Sequence, residues 1–161
     1  MNRVVLKIFG ALVVIISSAL VGMILGESVK NRLRSVSLLI DFIETISVSV
    51  SLYKMPLDEI FNGIKNAELQ NCGFTKHLDG GIFYAAKKSG LLSGDEEVEL
   101  IRAFDEKIGK GTAEESEKLC SYTISRLKSI EDKLRRELPE KQKVYNTVSV
   151  LAGVSAVIIL I

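Results

Sequence analysis

Two stretches of the chain, residues 8–26 and 144–161, hold no charged side chain, and between them apolar positions recur at helical spacing. At a rise of about 1.5 Å per residue the first stretch would reach roughly 28 Å as a helix and the second roughly 27 Å, each close to the thickness of a bilayer core. Gly10, Ser17, Ser18 and Gly22 in the first, and Ala152 and Gly153 in the second, are small residues of the kind that let membrane helices approach closely. A cleaved signal peptide would also start with basic residues such as Arg3 and Lys7. Its apolar core is shorter than this run, however, no A-x-A site follows, and the second stretch would stay unexplained. The pattern predicts a membrane-spanning helix at residues 1–27, a domain at 28–140, and a second span at 141–161.

In the middle region, Ser28 is expected to break or cap the chain after the first span. Leu33, Val36, Ile40, Ile43, Ile46, Val50 and Tyr53 then recur every three or four positions, the mark of one helix face. Ile46, Val48, Val50 and Leu52 also alternate with serines, as a strand would. Helix is preferred because the longer window keeps its phase and no partner strand is evident. Pro56 suits a first turn, with Leu57, Ile60, Phe61 and Ile64 forming a short amphipathic helix. Residues 66–81 are the least regular stretch, and 82–89 read as another short helix. Ser93-Gly94-Asp95-Glu96 has the spacing of a capping box, opening a helix with Val98, Ile101, Phe104 and Ile108 inward. Thr112-Ala113-Glu114-Glu115 repeats the device before a helix carrying Cys120, Ile124, Leu127, Ile130, Leu134 and Leu138 on one face. Pro139 is expected to break or kink the chain before the final span. The fold class is all-α, a helical bundle of about five or six helices flanked by a membrane helix at each end.

Charge sharpens this picture. Of the 21 basic residues only Arg3 and Lys7 precede the first apolar run, and the 20 acidic residues all fall in the middle, which is therefore close to neutral. A near-neutral domain argues against nucleic acid as a partner, because phosphate binding needs a net basic face. Lys30, Arg32 and Arg34 follow the first span, and Arg135, Arg136, Lys141 and Lys143 precede the second. These seven are the candidate membrane-interface residues, placed to meet lipid headgroups. By the positive-inside rule they put the middle domain in the cytoplasm and both termini across the membrane.

Candidate chemistry is sparse. Gly109-Lys110-Gly111 lacks the spacing and the preceding strand of a nucleotide loop. Cys72 and Cys120 form no metal or disulfide pattern, and His77, the sole histidine, has no orienting framework with Cys72 and Asp79 in its glycine-containing loop. No catalytic, cofactor-binding or metal-ligating residues are expected. Asp95, Glu96, Glu97 and Glu99 exceed what one helix start can use for its dipole. The surplus marks them as a candidate docking edge for a basic partner, with Glu97 and Glu99 expected on the solvent side.

The order of features carries a resemblance. A glycine-containing first span leads into Phe42-Ile43-Glu44-Thr45-Ile46, then Met55-Pro56-Leu57-Asp58-Glu59-Ile60, then Gly90-Leu91-Leu92-Ser93-Gly94-Asp95. Glu140-Lys141-Gln142-Lys143-Val144-Tyr145 opens a final span closing on Ile158-Ile159-Leu160-Ile161. Along essentially its whole length the chain resembles the stage III sporulation protein AB family of endospore-forming bacteria. That resemblance implies a cytoplasmic domain similar to that of the type II secretion F protein, an inner-membrane platform subunit. It also implies a place in the channel joining mother cell and forespore, in the mother-cell membrane around the forespore. The implied partners are a cytoplasmic secretion-type ATPase (stage III sporulation protein AA) and other channel subunits, with a second copy of the chain as an option. The rival reading from the residues alone is a two-span adaptor or sensor whose middle domain binds a ligand or signalling partner.

Overall fold

The structure, a computed structural model, describes residues 2–53 and 56–160; in the first 26 residues and beyond Pro139 only a few side chains are described. Among the described residues every regular element is helical. In chain order these are α1 (Asn2–Tyr53), α2 (Leu57–Asn62), α3 (Ala67–Asn71), a 3-10 helix (Thr75–Gly80), α4 (Ile82–Lys88), α5 (Asp95–Lys107) and α6 (Ala113–Leu160). The chain divides into two compact units, one of Arg32–Lys133, the other of Met1–Asn31 with Leu134–Ile161.

The core of the first unit gathers on α1. Val36, Leu39, Phe42, Ile43 and Ile46 are almost fully buried, and Leu38, Ile40 and Val50 nearly so. Asp41, Thr45, Val48 and Leu52 form an exposed stripe along the last turns of the helix, with Ser51 beside it. A helix buried over so wide an arc is a central element rather than a surface one. The Phe42 ring meets Phe74 edge-on at 4.8 Å and lies stacked against Phe61 at 6.4 Å. Those contacts pin α2 and the approach to the 3-10 helix onto α1, in the geometry aromatic quadrupoles favour. Ile101 and Phe104 from α5 and Leu127 from α6 are buried in the same unit. The alternating serines at 47–51 therefore lie on a helix, since the longer apolar phase governs the segment.

The stretch Glu27–Leu52 is, among the described residues, long and apolar enough to cross a membrane. Much of it is buried against the rest of the unit, so core packing accounts for its apolar character. The runs at 8–26 and 144–160 are helical in backbone, and their side chains lie mostly outside the described ones.

Three expectations about helix ends are corrected. Ser28 neither breaks nor caps the chain, because α1 passes through it; no proline or glycine lies between Gly26 and the helix end to stop it. Of the break or kink expected at Pro139, the break is overturned, because α6 continues through it. One missing N–H is tolerated in a helix with many turns of hydrogen bonds on both sides. Ser93 makes no capping bond: α5 begins at Asp95 with Gly94 extended before it and no side-chain cap. Glu96, the acid a box would have used, accepts instead from Arg126.

The second box forms as expected. Thr112 N–H donates to Glu115 Oε2 at 2.7 Å, and Glu115 N–H donates to Thr112 Oγ1 at 3.2 Å. Asn66 supplies a cap that the sequence reading did not single out, its Oδ1 accepting from the N–H groups of Glu68 and Leu69 at 2.9 and 3.3 Å. These bonds satisfy helix-start donors that would otherwise lack partners.

The Thr112–Glu115 box gives the stability a defined pH dependence. The backbone N–H of Thr112, and then its hydroxyl, hold the Glu115 carboxyl below its ordinary value of 4.5. A carboxylate with a depressed folded-state pKa stabilises fully above its unfolded value, and that stabilisation disappears as pH falls through the lower folded value. The thermal midpoint of Glu115→Gln is expected to lie below wild type at neutral pH and to converge on it in acid. A gap that stays constant into acid would mean the carboxylate charge contributes nothing to the cap.

Candidate interaction surface

The start of α5 is organised by one buried ion pair. Arg32 on α1 donates from Nε to Glu97 Oε1 at 2.9 Å and from Nη2 to Oε2 at 3.0 Å, a two-pronged contact. The Glu97 side chain is 0% exposed, while Arg32 retains a third of its surface in water. Gly94 makes room for this geometry. A Cβ at that position would overlap the Arg32 guanidinium and the Glu97 carboxylate. The expectation that Glu97 faces solvent is therefore corrected: its carboxylate is spent inside the unit. Matched forks of donor and acceptor are among the stronger hydrogen-bonded pairs, and they supply the lone-pair partners a buried carboxylate needs.

The other acids of this helix start remain at the surface. Asp95 and Glu99 are exposed, and Glu96 accepts from Arg126 Nη2 on α6 at 3.0 Å. The docking edge read from the sequence thus narrows, because one of its four acids is buried and another is paired. Beyond Arg32 and Arg126, further cations pair with acids of neighbouring elements or their own helix. Arg34 Nε reaches Glu68 on α3 at 3.2 Å, Lys128 reaches Glu44 on α1 at 2.8 Å, and Lys118 reaches Glu114 one turn back at 2.7 Å. Its hydrogen bond to the Glu68 carboxylate raises the Arg34 guanidinium above its ordinary value, and the bond to Glu44 does the same for the Lys128 ammonium. Exposed pairs of this kind contribute little stability individually, about 0–1 kcal/mol in general.

Of the residues expected at a membrane interface, Lys30, Arg135, Arg136 and Lys143 are exposed, and the side chain of Lys141 lies outside the described residues. Arg32 and Arg34 instead direct their guanidinium groups to Glu97 and Glu68 within the compact unit.

Reactive groups are quiet. Burial, with a smaller contribution from Glu117, pushes the Cys120 thiol up to about 11, so it stays protonated and a poor nucleophile at neutral pH. Cys72 donates to the Leu69 carbonyl at 3.3 Å. His77 is exposed, its ring edge-on to Tyr84 at 6.1 Å. Among the described residues no three His, Cys, Asp or Glu side chains gather to hold a metal. An open groove of about 560 Å³ runs between the end of α5 and the first turns of α6, lined by Lys107, Lys110, Glu115, Lys118, Leu119 and Tyr122. Sequence reasoning had no signal for it, since its walls come together only when the Gly109–Thr112 turn folds α6 back on α5.

The family model for stage III sporulation protein AB matches residues 7–77 and 84–161, nearly the whole chain. The chain belongs to the stage III sporulation protein AB family. Membership gives it a role in sporulation, and the family is not one of known enzymes. Neither a curated protein nor a solved structure matches it. The residues between the two matched segments of this stage III sporulation protein AB family member, 78–83, fall at the turn from the 3-10 helix into α4.

For this family member the Arg32–Glu97 pair makes a sharp prediction. Arg32→Ala strands a buried carboxylate and is expected to cost about 2 kcal/mol, less than the about 3–5 kcal/mol of a fully buried pair because Arg32 is partly in water. Replacing both partners at once, as Arg32→Met with Glu97→Leu, is expected to recover most of that loss in urea unfolding. Losses that simply add in the double variant would show that the two side chains act independently.

Proposed function

We propose that this chain is a non-catalytic membrane platform subunit of the sporulation channel complex between mother cell and forespore, coupling a cytoplasmic secretion-type ATPase to the assembly. One observation carries the reading. The helices α1 and α6, which supply buried residues to the unit Arg32–Lys133, each run unbroken into an uncharged terminal stretch of bilayer length. Both stretches act as membrane spans in this reading, with the middle unit on the cytoplasmic side, as Lys30, Arg135, Arg136, Lys141 and Lys143 at the two junctions favour. The membrane is that of the mother cell around the forespore, and the unit plays the part that the cytoplasmic domain plays in the type II secretion F protein.

A platform without a nucleotide-binding motif needs its motor supplied by another chain, and stage III sporulation protein AA fits that part. Asp95 and Glu99 are the acids of the α5 edge that remain exposed and carry no ion pair among the described residues, so they are the docking candidates. Charges at the rim of such a surface act mainly on the association rate, and salt screens them.

Two measurements test this. In intact cells an impermeant thiol reagent is expected to leave a Lys110→Cys variant unlabelled until lysis; labelling before lysis would place the unit outside the cytoplasm. With purified full-length chain and stage III sporulation protein AA, Glu99→Lys is expected to slow association, and the difference from wild type should shrink as salt rises. Identical association rates at low salt would remove the α5 edge from the docking face.

A further inference from the structure

The turn outside the family match builds a surface feature that the platform reading does not use. Gly80 and Gly81 join the 3-10 helix to α4, and Gly81 takes a φ of +99°, open to glycine at little cost. Their missing side chains are functional in the packing. A Cβ on Gly80 would sit 2.7 Å from Tyr84 Cδ1, and one on Gly81 would sit 2.9 Å from Asp105 Oδ2. So the Tyr84 ring lies down on the backbone of Gly80, while Asp105 closes over Gly81 and accepts from the Ile82 N–H at 2.8 Å. The start of α4 is fixed to α5 by that bond.

Tyr84 is held on two further sides. His77 meets its ring edge-on at 6.1 Å, and the Lys88 ammonium lies 5.8 Å from its centroid. The neighbouring ring, Phe83, carries the Arg102 guanidinium at 4.9 Å. Even so, Tyr84 remains 46% exposed. Lys76, Lys87 and Lys88 are exposed too, and among the described residues none of the three makes an ion pair. Asp79, also exposed, is the one acid of the 3-10 helix, so the surface is net basic around an aromatic whose orientation is already set.

We propose that the face formed by His77, Tyr84, Lys87 and Lys88 is a docking site for an acidic segment of a partner protein. Charge complementarity names the occupant: carboxylates meet the lysines that make no ion pair among the described residues, and the segment's aliphatic carbons cover the Tyr84 ring. A pre-set tyrosine ringed by charge has the make-up of an interface anchor, because binding does not have to freeze its rotamers. This site rests on its own contacts, and it stands or falls separately from the acidic α5 edge.

The experiment uses full-length chain in detergent micelles and a short fluorescein-labelled poly-glutamate peptide, followed by fluorescence anisotropy. Wild type is expected to bind, more weakly as salt rises. Tyr84→Ala is expected to weaken binding about tenfold or more, the size of an anchor residue, and Lys87→Gln with Lys88→Gln by a comparable factor. Tyr84→Phe keeps the ring and should bind nearly as wild type. Lys107→Gln with Lys110→Gln removes as much charge at the groove on the other side of α5's sequence and is expected to change little. Circular dichroism of each variant identifies any loss that comes from unfolding, and Tyr84→Phe and the lysine variants keep the test decisive if Tyr84→Ala misfolds. The proposal is overturned if wild type does not bind the peptide, if both lysine pairs matter equally, or if the face binds phosphatidylglycerol vesicles in preference to the peptide.

Discussion

A carboxylate sealed from water needs a counter-charge, and for Glu97 that charge is Arg32. The arrangement of the α5 start follows from meeting this requirement. Arg32 stands on the central helix, so α5 is held by its first turn to α1. Gly94 has to lack a side chain because the guanidinium fills the space a Cβ would take. With Glu97 turned inward, Glu96 lies on the side of α6 and meets Arg126 instead of reaching back to Ser93, and the helix opens without a side-chain cap. Hydrophobic contacts supply most of the driving force for packing, yet a buried ion pair of fixed geometry sets which turn of α5 faces which turn of α1.

How much of this was legible depended on how far apart the partners stand in sequence. The inward phase of α1, from Val36 through Ile40, Ile43, Ile46 and Val50, could be read directly, because helical spacing is a local property. The Thr112–Glu115 box was legible for the same reason. The same template hid Leu38, Leu39 and Phe42, since a one-face pattern assigns neighbours of buried residues to solvent, and only a central helix buries three positions in a row. Glu97 was misread because an acid in a first helical turn has a sufficient local explanation in the helix dipole. Its actual partner is separated from it by 65 positions, and no spacing rule spans that distance. Of the two acids expected on the solvent side, Glu99 is exposed and Glu97 is not.

The segment Glu27–Leu52 illustrates a limit of composition. A helix becomes uniformly apolar either because lipid surrounds it or because protein does, and the two environments select the same side chains. Burial separates them here: Val36, Phe42, Ile43 and Ile46 have their neighbours within the unit. The exposed stripe Asp41, Thr45, Val48 and Leu52 contains a carboxyl group, raised above its ordinary value chiefly by partial burial and then by the nearby acids Glu44, Glu131 and Glu68. An acid on the outer stripe suits water better than hydrocarbon.

The order in which the ribosome makes the chain gives the basic residues after Gly26 an earlier task than the one they end with. When α1 leaves the ribosome, its uncharged run from residue 8 to residue 26 is followed by further apolar positions up to residue 52, and the helices that will cover the second half do not yet exist. Glu68 and Glu97 are made later, so Arg34 and Arg32 enter the world without the acids they finally meet. Glu27, Lys30, Arg32 and Arg34 interrupt the apolar run before Asp41, and each basic charge carried to a bilayer centre costs about 2.5–3.5 kcal/mol on an insertion scale. If residues 8–26 span the membrane as proposed, these charges mark where the nascent helix leaves the lipid, before a single tertiary contact has formed.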